Sequence, residues 1–449
     1  VVRPQNILNL VEQLSKSIKI NRIKRCVSVQ LNILTNTNID KYITGVNFMK
    51  KIVIFMLALL LAFSQQGSLM AESNIQMGQR NSADAEWDSV YPITKSENVL
   101  MKNGESLDLA LLDSNTAVNP ALLIGLTDSD LIDSAIELAI ADNRIVTIPP
   151  KSPINGDVWL LDRAIEVPTD FTLILNNCYI KLKPGVNDNI IRTKNVRDLS
   201  LAQNINIVGL GSATLDGNGV LQTTGYESYK RIGVLFFNVN GFKVSGFKVK
   251  NTHGWGMSFE SGCVYGKISN IDIDQDGLVV NQDGIDIRDG CHHIDIDNIT
   301  GTADDDGIAL TALSNNVMQV VNDGSKGVDI HDINISNVHM ESRYCNIIDL
   351  ICNDGKKTYN ININNVYDTS EKFRTRSTVG AVINIGNCDF APFALVRPAI
   401  DGELHNIKID SVSGRGMYLI KFGWFSNNVH LSNLTMRDDF DYVFRSYNA

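Results

Sequence analysis

From about residue 240 onward the chain alternates apolar and polar residues in short runs, and the runs repeat. The phrase reads FKVSGFKVKNT at residue 242, GKISNIDIDQD at 266, HIDIDNITGT at 293 and VDIHDINISNV at 328. It continues as YNININNVYDT at 359, LHNIKIDSVSG at 404 and VHLSNLTMRDD at 429. Alternation at period two predicts strands rather than helices. Each unit is a short strand, an Asn or polar corner and a second short strand. Taking Phe247, Ile271, Ile299, Ile333, Val366, Ile407 and Leu434 as equivalent gives an uneven period, lengthened where loops are inserted. Repeated short strands without helices between them predict a parallel β-helix with coils about 4.8 Å apart. Inward Ile, Val and Leu would form its core, and Asn and Gly would supply left-handed corners. An immunoglobulin-like sandwich is the alternative, and the repeated phrase argues against it.

Upstream the period changes. In TDSDLIDSAIELAIADNRIVTIPP (residues 127–150), Leu131, Ile132, Ala135, Ile136 and Ala139 form a helical stripe. Asp128, Ser129 and Asp130 offer cap oxygens. This helix would cover the open end of the strand stack, where unpaired edges are exposed. AIEVPTDFTLILNNCYIKL (residues 164–182) reads as the first coils. The domain reading is a β-helix over 127–449, preceded by a polar lead-in or linker over 72–126.

Composition adds limits. The 449 residues are 44% hydrophobic and 20% charged, with a net charge of −10. That length gives ample core, and the acidic balance argues against nucleic acid as the main partner. Met49 opens a run with Lys50 and Lys51, an apolar stretch over 52–63 and small or polar residues before Ala71. This is the pattern of a secretory signal peptide over 49–71. Residues 1–48 then read as an over-extended gene start, with a signal anchor as the alternative. The expectation is a secreted, periplasmic or cell-surface protein with no membrane contact after cleavage. Seven cysteines without a C-x-x-C pair argue against a zinc site. Cys345 and Cys352 are the closest pair if a bridge forms; buried thiols are the other reading.

The chemistry gathers in two phrases, NQDGIDI (residues 281–287) and DDDGIAL (residues 304–310). Both run from acid through Gly and Ile into a strand. The spacing is about one coil, which stacks Asp283 beside Asp305 and Asp306 on one outer face. Clustered carboxylates cannot all ionise easily, so one can hold a proton while its neighbours activate water. Calcium binding and a solvated loop are the other readings of an acidic triplet. The partner one coil away favours catalysis.

At these residues the sequence resembles glycoside hydrolase family 28, the polygalacturonase group, within the right-handed parallel β-helix pectinase-like superfamily. The resemblance covers roughly residues 128–437 and also rests on ATLDGNG (213–219) and NTHGWGMSFESG (251–262). It implies an all-β, single-stranded right-handed parallel β-helix and inverting hydrolysis. The family's Asn-Thr-Asp-Gly motif is similar to Asn281-Gln282-Asp283-Gly284, and its Asp-Asp motif to Asp305-Asp306. Carried over, Asp305 is the general acid and Asp283 with Asp306 activates water. Asp304 has no counterpart. Two motifs are missing: residues 307–328 hold no His for the family's Gly-His-Gly, and no basic residue occupies 344–350 for its Arg-Ile-Lys. Asn281, Trp255, Arg343 and Lys326 are candidate substrate contacts, with Lys356, Lys357 and Tyr344 nearby. A solvated surface charge is the plainer reading of the basic residues, whereas Trp255 and Tyr344 read equally as sugar platforms or as packed rings. His253, His292, His293 and His331 are expected at corners or on the surface.

The expected function is a secreted, polygalacturonase-like glycosidase acting on a polysaccharide, acidic and pectin-like among the options, without cofactor or metal. A polysaccharide lyase on the same fold and a non-catalytic glycan-binding spike or adhesin are the rivals.

Overall fold

The computed structural model describes residues 117–141, 144–223, 228–313, 321, 328–353, 355–371, 380–386, 397, 399–415, 417–423, 425–437 and the backbone of 444–446. The compact unit holding them opens at Asn115. The gene-start segment 1–48, the leader 49–71 and residues 72–116 lie outside the described residues. The end of the lead-in does not: Val118 bridges to Val146, so this part of 72–126 belongs with the cap.

Helix α1 (Asp128–Ile140) starts at Thr127, not at the acidic residues that follow it. Thr127 Oγ1 accepts from the Asp130 amide at 3.2 Å, and Asp130 Oδ2 accepts from the Thr127 amide at 3.1 Å. This reciprocal box satisfies two orphan donors. Asp128 instead turns inward and accepts from Ser152 Oγ at 2.5 Å and the Leu160 amide at 2.6 Å. The predicted stripe of Leu131, Ile132, Ala135, Ile136 and Ala139 is buried. It packs against the strands Ile145–Ile148, Trp159–Leu161 and Ile165–Val167, which open the stack.

The strands form a right-handed parallel β-helix of two sheets, 13-stranded and 10-stranded. From residue 239 each coil gives one long strand to the first sheet and one short strand to the second. The long strands are Val239–Lys250, Val264–Asp274, His292–Ala303, Ile330–Ser342, Thr358–Asp368, Leu404–Gly414 and Asn427–Met436. The short strands include Met257–Glu260, Ile285–Arg288, Ile308–Ala312, Ile348–Cys352, Ala381–Ile385 and Tyr418–Phe422. Ile268, Ile296, Ile335, Ile363 and Ile409 stack through the core in register, each buried. Burying such a side chain stabilises by about 1.5–3 kcal/mol.

The register corrects the repeat equivalence. Phe247, Ile271, Ile299, Val338, Val366, Val412 and Leu434 are the true column. Ile333 and Ile407 belong to a second column with Ile294 and Ile361. Each long strand contains two left-handed residues five positions apart, such as Asn360 and Asn365 or Asn428 and Asn433. Except at Tyr265, which precedes Gly266, both are followed by an inward apolar residue, so the half-units look alike in sequence. The described cysteines, Cys178, Cys263, Cys291, Cys345 and Cys352, are free thiols, so Cys345 and Cys352 are not bridged.

Candidate active site

The short-strand sheet places the polar chemistry. Ile285, Ile287, Ile308, Leu310, Ile348 and Leu350 point into the core. The alternate positions face the other side. In register they run Ser258, Asp286, Ala309, Asp349, Asn384 and Lys421. A parallel column on that side begins with Glu260, whose Oε1 lies 3.2 Å from Arg288 Nε.

The turns entering these strands carry the acids. The Gly256 amide donates to Asp283 O, the Gly284 amide to Asp306 O and the Gly307 amide to Asn346 O, at 2.8, 2.8 and 2.9 Å. Asp283, Asp306 and Asn346 therefore hold equivalent places on consecutive coils. The approach requires glycine: a Cβ on Gly284 would lie 2.3 Å from Gly307 O, and one on Gly307 2.6 Å from Ile347 O. This is why both phrases read Asp-Gly-Ile.

Asp305 and Asp306 are half-buried, whereas Asp283, Asp286, Asp304 and Asp349 are buried. Carboxylate oxygens of Asp305 and Asp306 and the Cys345 sulfur lie within 4.8 Å of one another. Asp306 Oδ1 accepts from the Asn346 amide at 2.9 Å and from its Nδ2 at 3.1 Å. The Cys345 thiol donates to Asp305. Asp283 Oδ1 and Asp286 Oδ2 are buried without a hydrogen-bond partner among the described residues.

Burial pushes the whole group upward in pKa. Asp283 is raised well above the carboxylate range by burial, then by the charges of Asp286, Asp305 and Asp306. Asp306 is raised by burial, Asp349 and Asp305, against the Asn346 donors. Asp286 is raised by burial, with Arg288 opposing. Asp305 is raised by burial, and the Cys345 bond opposes it. Carboxyls that interact this closely release their protons as a group rather than one by one.

Two neighbours give a measurable consequence. Burial raises Asp349 from 3.8 to about 7, against Asn384 and Lys421, and raises Glu260 from 4.5 to about 7, against Arg288. Between those limits the folded chain binds more protons than the unfolded chain, so stability falls as pH rises through the window. His292, lowered chiefly by burial, works the other way below its ordinary pKa. The melting temperature is therefore expected to be higher at pH 5 than at pH 7.5. Asp349→Asn should flatten that slope, measured by thermal unfolding at both pH values; an unchanged slope would place the titration elsewhere.

The structure brings Asp283, Asp305 and Asp306 together, as the spacing predicts. It gives Asn281 and Trp255 a different setting from a substrate contact. With its amide oriented to suit both neighbours, Asn281 Nδ2 donates to Asp305 Oδ2 at 3.2 Å and its Oδ1 accepts from Trp255 Nε1 at 2.5 Å. Trp255 is 6% exposed, and the Arg288 guanidinium sits over its ring at 4.6 Å. That ring has no open face for a sugar. Arg343 donates to Gln275 O at 2.7 Å and lies 4.0 Å from Asp304. Lys326 lies outside the described residues. Ile348–Cys352 pairs directly with Ile308–Ala312 and presents Asp349 rather than a base.

Asp286, Asp349, Asn346, Glu260 and Arg288 are absent from the sequence reading. Their signal was present: an acid in an otherwise apolar strand of five, IDLIC, has to face away from the core.

The profile of Glycosyl hydrolases family 28 matches residues 165–323, a span containing both acidic phrases. The resemblance read from those phrases is thus borne out, and the match supports a glycosidase. Among solved structures, the chain is similar to endo-xylogalacturonan hydrolase from Aspergillus tubingensis at 15% identity, covering 74% of this chain and 95% of that one, with a TM-score of 0.45. It is similar to the tailspike of E. coli bacteriophage HK620 in complex with pentasaccharide at 12% identity, covering 79% and 66%, with a TM-score of 0.47. A third is a 1,3-alpha-1,4-beta-D-galactose-4-sulfate-3,6-anhydro-D-galactose-2-sulfate 4 galactohydrolase, at 12% identity over 75% and 92%, with a TM-score of 0.46. Comparison with curated proteins found no match.

Proposed function

We propose that this family-28-like chain is a secreted glycoside hydrolase that cleaves a polysaccharide with inversion, using Asp305 as general acid and Asp283 with Asp306 to activate water. The observation that carries this reading is the stacking of Asp283 and Asp306 on consecutive coils with Asp305 beside them. Asp305 is half-buried and its pKa is raised by burial, which suits a proton donor to a leaving glycosidic oxygen. Burial raises Asp306 by more than the Asn346 donors lower it, so its assignment as base rests on its place beside Asp283 one coil away. Asn281 is a positioning residue for Asp305, and Trp255 for Asn281. Secretion follows from the leader pattern over 49–71.

The charge around the acids selects the substrate class. Asp286, Asp349 and Glu260 add carboxylates to the same face, and Arg288 and Lys421 are buried beside Glu260 and Asp349. A uronate carboxylate would meet Asp349 rather than a base on the strand Ile348–Cys352, and Arg288 is already held beside Glu260. The favoured substrate is a glycan whose sugars carry no carboxylate at the cleavage point. The test is release of reducing ends from neutral glycans and from polyuronates, with ultraviolet absorbance followed alongside. New ends from a neutral glycan, at least tenfold fewer from polyuronate, and no rise in absorbance are expected. Absorbance from unsaturated uronates would identify a lyase, and binding without new ends would identify a glycan-binding module; either would overturn the proposal.

A further inference from the structure

On the long-strand sheet, away from the carboxylate turns, a column of rings follows the coils. His292, His331, Tyr359 and His405 hold equivalent positions on consecutive strands. Their centroids are 4.6, 4.8 and 4.9 Å apart, with rings within 15° of parallel. The residue after each is left-handed: His293, Asp332, Asn360 and Asn406, at φ of 55, 54, 55 and 55°. A left-handed residue breaks strand alternation, so adjacent side chains can meet on one side. His292 and His293 do, with their Nδ1 atoms 2.7 Å apart.

Asn is the usual occupant of that left-handed column, and each Asn bonds back along the stack. Asn360 Nδ2 donates to Asp332 Oδ1 at 2.9 Å, Asn406 to Asn360 at 3.1 Å and Asn428 to Asn406 at 2.7 Å. On the four coils before these, Gly241, Tyr265, His293 and Asp332 hold that place, the coils of His293 and Asp332 being adjacent. Those two coils gather three imidazoles and a carboxylate.

A ring nitrogen from each of His292, His293 and His331 lies within 4.8 Å of the others. Imidazole nitrogens around a tetrahedral zinc, at bonds of about 2.0–2.1 Å, sit about 3.3 Å from one another. One separation here is 2.7 Å and all fall within 4.8 Å, a range that ring rotation can bring to that value. His331 Nδ1 donates to Asp332 Oδ2 at 2.7 Å, which leaves Nε2 as the ring's lone-pair nitrogen. A carboxylate behind a histidine is the arrangement that orients metal ligands and raises their basicity. Asp332 Oδ2 is also 3.9 Å from His293 Nε2. The stacked rings of His292 and His331 must turn to converge on one ion. Imidazole χ2 is soft, and His292 and His331 are half-buried and His293 exposed, so that turn disturbs no core packing.

We propose that His292, His293 and His331 form a site for a divalent transition metal of the zinc or nickel class, with Asp332 as the supporting acceptor. The sequence predicts no metal here, because the spacing of these histidines along the chain does not show that coil register brings them together. The site is independent of the hydrolase reading.

The test is Zn²⁺ titration by calorimetry into the full protein and three variants. Wild type should take up one ion at this site. His331→Ala should weaken that uptake at least tenfold, and Asp332→Asn about tenfold. His293→Asn restores the column's usual residue, so it should keep the metal-free melting temperature while losing the Zn²⁺-induced rise. The Asp305, Asp306 and Cys345 group is another potential zinc-binding group, and uptake there would survive all three changes. No uptake by wild type, or uptake equal in wild type, His331→Ala and His293→Asn, would overturn the proposal.

Discussion

Asp305→Asn is expected to lower turnover by about a hundred- to ten-thousandfold while leaving the fold intact. Asn keeps the size of the side chain but cannot protonate a leaving oxygen. The position tolerates the change, because Asp305 is half-buried and flanked by carboxylates whose repulsion the substitution relieves. The same relief has a sign. Asp305 raises the pKa of Asp283 and Asp306, so its removal should move their ionisation to lower pH. Residual activity should therefore show its acidic limb at lower pH than wild type. Initial rates across pH, beside a melting temperature equal to or above that of wild type, separate a lost proton donor from a damaged structure.

Gly284→Ala should disable the enzyme without touching a catalytic group. The added Cβ would lie 2.3 Å from Gly307 O and 3.4 Å from Ile273 Cγ1. The first contact is with backbone, so the coils must part. Two hydrogen bonds hold this junction, Gly284 N to Asp306 O at 2.8 Å and Ile285 N to Gly307 O at 3.0 Å. They also set Asp283 against Asp306. Overpacking of this kind costs about 1–3 kcal/mol, and a displacement near 1 Å in a catalytic pair costs about a hundredfold in rate. The melting temperature and turnover should fall together. A variant with wild-type turnover would show that the coil junction does not position the acids.

The fold could be read from the chain because its determinants are local and repeated. Alternation gave the strands, Asn marked the left-handed corners, and the stripe from Leu131 to Ala139 gave the cap. Asp-Gly-Ile, met twice at one-coil spacing, placed Asp283 beside Asp306. Register was harder. Two half-units five residues apart share one pattern, so Ile333 could be taken for the partner of Ile299 when Val338 is. Side-chain surroundings were harder still. Trp255 offers a sugar platform in sequence, but the structure buries it beneath Arg288, a residue one coil on. Asp349 falls where a basic residue was sought, and its neighbours Asn384 and Lys421 come from later coils. The histidine group needs the His292 to His331 register, across an inserted loop of a length no motif fixes.

The acids of DDDGIAL have different roles. Asp305 holds the proposed proton, whereas Asp304 is buried, its amide donating to Gln282 O at 3.0 Å and Arg343 4.0 Å from its carboxylate. The most direct measurement is reducing-end release by wild type, Asp304→Asn and Asp305→Asn at equal concentration of folded protein, on the glycan that wild type cleaves fastest. Loss of at least a hundredfold in Asp305→Asn, with Asp304→Asn within about tenfold of wild type, is the predicted result. Near-normal release by Asp305→Asn, or equal losses in both variants, would contradict it.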